Sequence, residues 1–148
     1  ITVDKIPSHF TQFSLSYHPH DAKGDRKLPV TSSYYVEKAD DDACKVGSML
    51  RLMDGMNIKK IAPQTYVFDS FDYGSYRDGS GLIHYVPISG DQLKGVMVCE
   101  DTSEQPVIVE QSGSYLKPGE IVQFERHCFA RFDHIREDGT LVFWFAHN

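Results

Sequence analysis

The segment Gln123-Phe124-Glu125-Arg126-His127-Cys128-Phe129-Ala130-Arg131-Phe132-Asp133 follows the turn signal Lys117-Pro118-Gly119-Glu120. Its aromatic richness makes residues 119–132 one long strand or a bent pair of strands. A strand period of two puts Gln123 and Arg126, three residues apart, on opposite faces. Both reach one surface only if the strand ends, twists sharply or bulges between them. In every case the segment is β-structure, and the rest of the chain reads in the same way.

Outward from this segment, short apolar and β-favouring runs alternate with turn signals. Residues 11–17, 34–36, 48–53, 57–61, 65–71, 82–86, 95–99, 107–110 and 140–146 read as strands. Asp54-Gly55 makes a hairpin turn, and Asp138-Gly139 precedes the last strand. Residues 18–29 and 72–81 read as loops, and the run Asp40-Asp41-Asp42 as a solvated loop. No stretch of twelve or more residues has a convincing 3.6-residue apolar period, residues 39–53 coming nearest. The sequence has no internal repeat and no low-complexity tract. The expectation is an all-β chain of roughly ten strands.

The 148 residues suffice for one ordinary domain or two small barrels. A hydrophobic content of 41% with 12% aromatics excludes global disorder. No run approaches the roughly 18 apolar residues that span a bilayer, so no membrane partner is expected. The opening Ile1-Thr2-Val3-Asp4-Lys5-Ile6-Pro7 resembles neither a signal nor a transit peptide, and without a methionine it reads as a piece of a longer polypeptide. Cys44, Cys99 and Cys128 are widely spaced with no CxxC pair, the pattern of idle thiols in a reducing, cytoplasmic compartment. The formal charge of −6 argues against a non-specific binder living on phosphate contacts. It leaves room for a reader of bases, because base readout and phosphate grip are separate tasks.

Catalytic chemistry finds little support. His18-Pro19-His20 is an HxH similar to that of metal-binding cupin barrels, yet Asp21, Ala22, Lys23 and Gly24 follow and the next glutamate is Glu37. A metal needs three or four converging ligands, and a loop histidine beside a structural proline is the alternative. No G-x-S-x-G occurs, and Gly79-Ser80-Gly81 lies in a loop. Cys128 and His127 are neighbours, which on a strand point to opposite faces. Neither GxxxxGK[ST] nor GxGxxG after a strand is present. No catalytic residue, cofactor site or metal site is therefore assigned to this chain. Gln123 and Arg126, by contrast, are side chains that read nucleobase edges through paired hydrogen bonds. The plainer alternative is a surface pairing of Arg126 with Glu125, or of Arg51 with Asp54. Tyr34, Tyr35, Phe129 and Phe132 are candidates for stacking bases, with core packing the alternative for each.

Five blocks in register resemble the anticodon-binding region of class I glutamyl- and glutaminyl-tRNA synthetases. His18-Pro19, Gly24 and Leu28-Pro29-Val30 resemble its opening; Gly47-Ser48-Met49-Leu50-Arg51-Leu52-Met53-Asp54-Gly55-Met56-Asn57-Ile58 resembles its "G..VRLMDLFNV" block. Leu82-Ile83-His84-Tyr85-Val86-Pro87, then Pro118-Gly119-Glu120-Ile121-Val122-Gln123-Phe124-Glu125-Arg126, then Phe143-Trp144-Phe145-Ala146-His147 follow in order. The likeness runs over roughly residues 10 to 148 and is nearest to glutamyl-tRNA synthetases of archaeal or eukaryotic type. It implies two small β-barrels in tandem, related to ribosomal protein L25 and one interrupted by the other: a proximal barrel of residues 1–36 with 100–148 and a distal barrel of 37–99. It implies that Gln123 and Arg126 contact the central anticodon base, a uridine, and that Arg51 lies near the first. It further implies a tRNA(Glu) or tRNA(Gln) partner and no DNA partner. ATP and Mg²⁺ would serve an N-terminal catalytic domain outside this chain, making it part of a glutamate–tRNA ligase without an active site of its own. A glutaminyl enzyme and a stand-alone L25-like module binding rRNA or protein are the alternatives. The family commonly has glycine where Cys128 stands, which bears directly on any bend after Arg126.

Overall fold

The structure, a computed structural model, describes residues 1–17, 24–76 and 81–148. The described residues are all-β apart from one short α-helix and two 3₁₀ turns, and the chain divides into two compact units, Ile1–Gly90 and Asp91–Asn148.

The first unit comprises β1 (Thr2–Asp4), β2 (Gln12–Ser16), β3 (Asp25–Pro29), β4 (Tyr34–Tyr35), α1 (Lys38–Ala43), β5 (Met49–Leu52), β6 (Asn57–Ala62), β7 (Thr65–Ser70), β8 (Gly81–Ile83) and β9 (Val86–Pro87). Its main sheet has the order β1-β7-β6-β5-β8, and the pairs β2-β3 and β4-β9 form two-stranded ribbons. The two edge strands pair in parallel, β1 with β7 and β8 with β5, while the centre is antiparallel. Asp54-Gly55 makes the β5–β6 turn as its composition predicts: Asp54 has φ 50°, and the Gly55 N–H donates to the Leu52 carbonyl at 2.9 Å. A Cβ on Gly55 would lie 2.7 Å from the Phe13 ring, so that ring packs directly on the turn backbone. Leu50, Leu52, Met56, Ile58, Tyr66 and Ile83 form the core with Phe13, Tyr34 and Tyr85. Those last three rings meet at centroid distances of 5.0 to 6.2 Å. Burying large aromatic area edge to face supplies much of a small domain's stabilisation.

The acidic run is not the solvated loop expected of it. Residues 38–43 form α1, whose first turn carries Asp40 and Asp41, where carboxylates favour the positive end of the helix dipole. Asp41 is buried, paired with Lys60 of β6 at 3.0 Å and accepting the Tyr66 hydroxyl at 2.7 Å. Lys60 also donates to the Asp41 carbonyl at 2.6 Å.

The second unit holds β10 (Leu93–Val98), β11 (Glu104–Val109), β12 (Ile121–Phe124), β13 (Cys128–Ile135) and β14 (Leu141–His147), in the order β11-β10-β14-β13-β12. β10 and β14 pair in parallel, and the other neighbours are antiparallel. Met97, Ala130, Phe132, Leu141 and Phe143 form its core, with Val122 and Phe124 packed on them. Gly95 permits close packing here: a Cβ would stand 2.9 Å from Val107 and 3.2 Å from the Leu141 carbonyl.

This partition differs from the expected one. β1 pairs with β7 and β4 with β9, so strands from residues 1–36 hydrogen-bond to strands from 37–90. β10, expected in the distal group, pairs with β11 and β14.

Candidate nucleic-acid interface

Gln123 and Arg126 fall on one hairpin of the second unit. β12 ends at Phe124, whose register partner is Cys128, leaving residues 125–127 as the connection. The His127 N–H donates to the Phe124 carbonyl at 2.9 Å, and Arg126 turns the chain with φ 66°. The strand thus ends between the two candidates, meeting the condition that its periodicity imposed. The bend is made at Arg126 itself. Cys128 lies in the following strand and needs no glycine-like conformation.

Within β12 the alternation is clean. Val122 and Phe124 pack on the core, while Ile121 and Gln123 are exposed. Gln123 stands opposite Phe129, and Ile121 opposite Arg131. Arg126 and His127 are exposed at the turn. An amide and a guanidinium at the end of one solvent-facing hairpin suit uridine. The base offers two carbonyl acceptors and an N3–H donor; arginine serves the acceptors, and glutamine serves one acceptor and the donor. RNA is read in this way when loop bases are unstacked.

Arg51 lies in the first unit and is built differently. It sits in β5 with only 8% of its surface exposed. Its Nη1 donates to Asn57 Oδ1 at 2.8 Å and to the Phe71 carbonyl at 3.1 Å. Asn57 in turn donates to Ser70 Oγ at 2.9 Å and to the Asp72 carbonyl at 2.8 Å. The guanidinium lies 5.2 Å from the centroid of Tyr73, whose ring is exposed. Arg51 therefore pins the segment 70–73 and supports Tyr73 from below, a cation–π arrangement. These partners differ from Asp54, the surface pairing open from the sequence: Arg51 bonds Asn57 and a backbone carbonyl. The aromatic beside it, Tyr73, is not legible in the sequence, because a tyrosine in a glycine-rich loop carries no periodic signal.

Of the four stacking candidates, Tyr34 and Phe132 are core residues, 0% and 1% exposed. Tyr35 is exposed, and Phe129 is half-buried, standing opposite Gln123 and His147 in the sheet. The HxH pair His18 and His20 lies outside the described residues, as do Gly79 and Ser80. Among the described residues no group of three His, Cys, Asp or Glu side chains is placed to hold a metal ion. Burial, reinforced by Cys99 nearby, pushes the Cys128 thiol up, the opposite of what an activated nucleophile requires. No helix among the described residues is long and apolar enough to cross a membrane.

Comparison with known proteins bears on the whole chain. Residues 1–65 match the model of the family "tRNA synthetases class I (E and Q), anti-codon binding domain". The chain is 34% identical to a glutamate–tRNA ligase of Methanobrevibacter smithii over 99% of its length and 26% of the relative's. It is 34% identical to that of Pyrococcus abyssi, over 98% of the chain and 26% of the relative. With the Methanosphaera stadtmanae ligase it shares 28% identity over its full length and 27% of the relative. The chain spans about a quarter of the length of the curated relatives it matches. Residues 1–65 thus match the anticodon-binding domain family of the class I tRNA synthetases for glutamate and glutamine, and the chain is similar along its length to the glutamate–tRNA ligases named above.

Proposed function

We propose that this chain is the anticodon-reading part of a cytoplasmic glutamate–tRNA ligase, with tRNA(Glu) as its partner. Gln123 and Arg126 contact the central uridine of the anticodon, and Arg51 acts near the first base. The observation that carries this reading is the turn at Arg126. It ends β12 one residue after Gln123 and leaves both side chains at one exposed hairpin end. The relatives named above are glutamate–tRNA ligases, which favours glutamate over glutamine as the amino acid served.

Bond-making lies elsewhere in this reading. The sequence shows no phosphate loop, and among the described residues no three His, Cys, Asp or Glu side chains are placed to hold a metal ion. Activation of glutamate with ATP and Mg²⁺ belongs to a catalytic domain outside these 148 residues. The chain's own contribution is selection and positioning. Arg51, already bonded to Asn57 and the Phe71 carbonyl, contributes by holding Tyr73 toward solvent.

The test is binding of anticodon stem-loops that differ only at the central base. Arg126→Ala costs about 1–3 kcal/mol with the cognate loop and relaxes selection at that base. An equal loss for every loop sequence would show that Arg126 grips the backbone and reads no base.

A further inference from the structure

The outer face of the second unit carries a feature that the two base-reading residues do not use. Across β12, β13 and β14, the register places Gln123 opposite Phe129 and Phe129 opposite His147. The Phe129 and His147 rings lie 4.8 Å apart between centroids, their planes inclined by only 31°. The next row of the same face runs Ile121, Arg131, Trp144. Trp144 is 44% exposed, and Arg131 is held by Asp133 at 3.0 Å. The opposite face of these strands, with Ala130, Phe132 and Phe143, forms the core. Phe129 is half-buried and His147 exposed, and neither ring belongs to that core.

We propose that the Phe129–His147 ring pair is a stacking ledge for an unpaired RNA base, taking the nucleotide next to the one whose edge Gln123 reads. The inference rests on the anticodon reading above and deepens it. Every base offers a π-face, so a near-parallel ring pair holds one irrespective of sequence. The ledge adjoins Gln123 in the same cross-strand row, so a splayed loop can lay one base on the rings while its neighbour meets the amide. Charge favours this mode of binding. The second unit carries ten acidic against five basic side chains, too few cations for a grip built on phosphates. Stacking needs none.

A cross-strand aromatic pair also stabilises a sheet by itself, so the experiment uses conservative variants and a local probe. The chain is titrated with an anticodon stem-loop bearing 2-aminopurine beside the central uridine. With the unaltered chain, the fluorescence of the probe changes as it leaves the loop's own stack and settles on the rings. In Phe129→Leu and His147→Leu, which keep apolar cross-strand contact, the bound probe loses that signature and affinity falls by about fivefold or more. Thermal unfolding of the variants, close to that of the parent, separates this from misfolding. Unchanged affinity and probe signal in both variants overturn the ledge while leaving the anticodon reading intact. Conversely, a parent chain blind to the central base, yet weakened by Phe129→Leu, supports the ledge and overturns the anticodon reading. Absence of binding to any stem-loop overturns both.

Discussion

Arg126 occupies a backbone conformation that suits glycine or asparagine. At φ 66° its Cβ crowds the neighbouring carbonyl, a cost of about 1–2 kcal/mol for an L-residue. The residue stands at the exposed tip of the hairpin, and strained conformations of this kind cluster at functional sites. In the proposed reading, the turn sets the direction in which the guanidinium projects. This separates stability from recognition. Arg126→Gly relieves the strain but adds freedom to the unfolded chain, so unfolding free energy stays level or rises by about 1 kcal/mol. Discrimination at the central anticodon base is lost in the same variant. Chemical denaturation and stem-loop binding on one preparation check both halves. A fall in stability of more than about 1 kcal/mol, or retained discrimination, would contradict the account. Arg51 is the counter-example at this scale. It sits in β5, where Leu50 and Leu52 beside it are buried as well, so strand alternation gives no warning that an arginine there points into a packed network.

Among the elements, α1 is the one most poorly legible from sequence and the one most dependent on a buried charge. Six residues are too few to display a helical period, and three aspartates in a row resemble a solvated loop. What makes the helix is tertiary: Lys60 and Tyr66, nearly twenty or more residues away, supply partners that bury Asp41. Other misses have comparable causes. β3 (Asp25–Pro29) is charged, ends in proline and, among the described residues, pairs only with β2, so it lacks the alternation that a covered strand shows. β1 is three residues long. The hairpin of β5 and β6 was legible because Asp54-Gly55 flanked by apolar runs is a local signal. Parallel pairings such as β10 with β14 join segments with no such link. The buried pair makes a definite demand on pH. Burial pushes the Asp41 carboxyl up, but hydrogen bonds from Tyr66 and Lys60 outweigh it and hold the carboxyl below the usual aspartate range. A carboxylate depressed in the folded state contributes stability above the unfolded pKa of about 3.9, and that contribution is lost as pH falls through the lower folded value. Asp41→Asn leaves Lys60 buried without its counter-ion, which costs about 3–5 kcal/mol at neutral pH. The variant's stability then falls less steeply below pH ~4 than the parent's. Urea unfolding at neutral and acid pH measures this, and parallel acid limbs would remove Asp41 from the account.

For the molecule as a whole, the distribution of charge decides how the chain would hold RNA under the proposed function. The first unit is nearly balanced, with ten basic and eleven acidic side chains, whereas the second carries ten acidic against five basic. The proposed reader of the central base is thus placed on the more negative unit. A protein that wins affinity by neutralising phosphates releases counterions and weakens steeply as salt rises; six to ten contacts lose about 10³–10⁵-fold between 50 and 200 mM. Here Arg126 and Arg131 are the cations near Gln123, and Arg131 is already paired with Asp133. Binding by Gln123, the Phe129–His147 rings and one arginine involves few phosphates. The affinity of the isolated chain for an anticodon stem-loop should then fall by only about tenfold over that salt range. Discrimination at the central base should stay nearly constant across it, because an amide and a guanidinium meeting base edges displace few ions. Titrations at several salt concentrations with matched and mismatched loops measure both quantities. A steep slope with equal loss for all loops would mean that the chain grips phosphates by some other surface, and that Gln123 and Arg126 read nothing. A shallow slope with constant discrimination would instead assign the strong electrostatic hold on tRNA to other parts of a full-length ligase, leaving these two units the task of choosing.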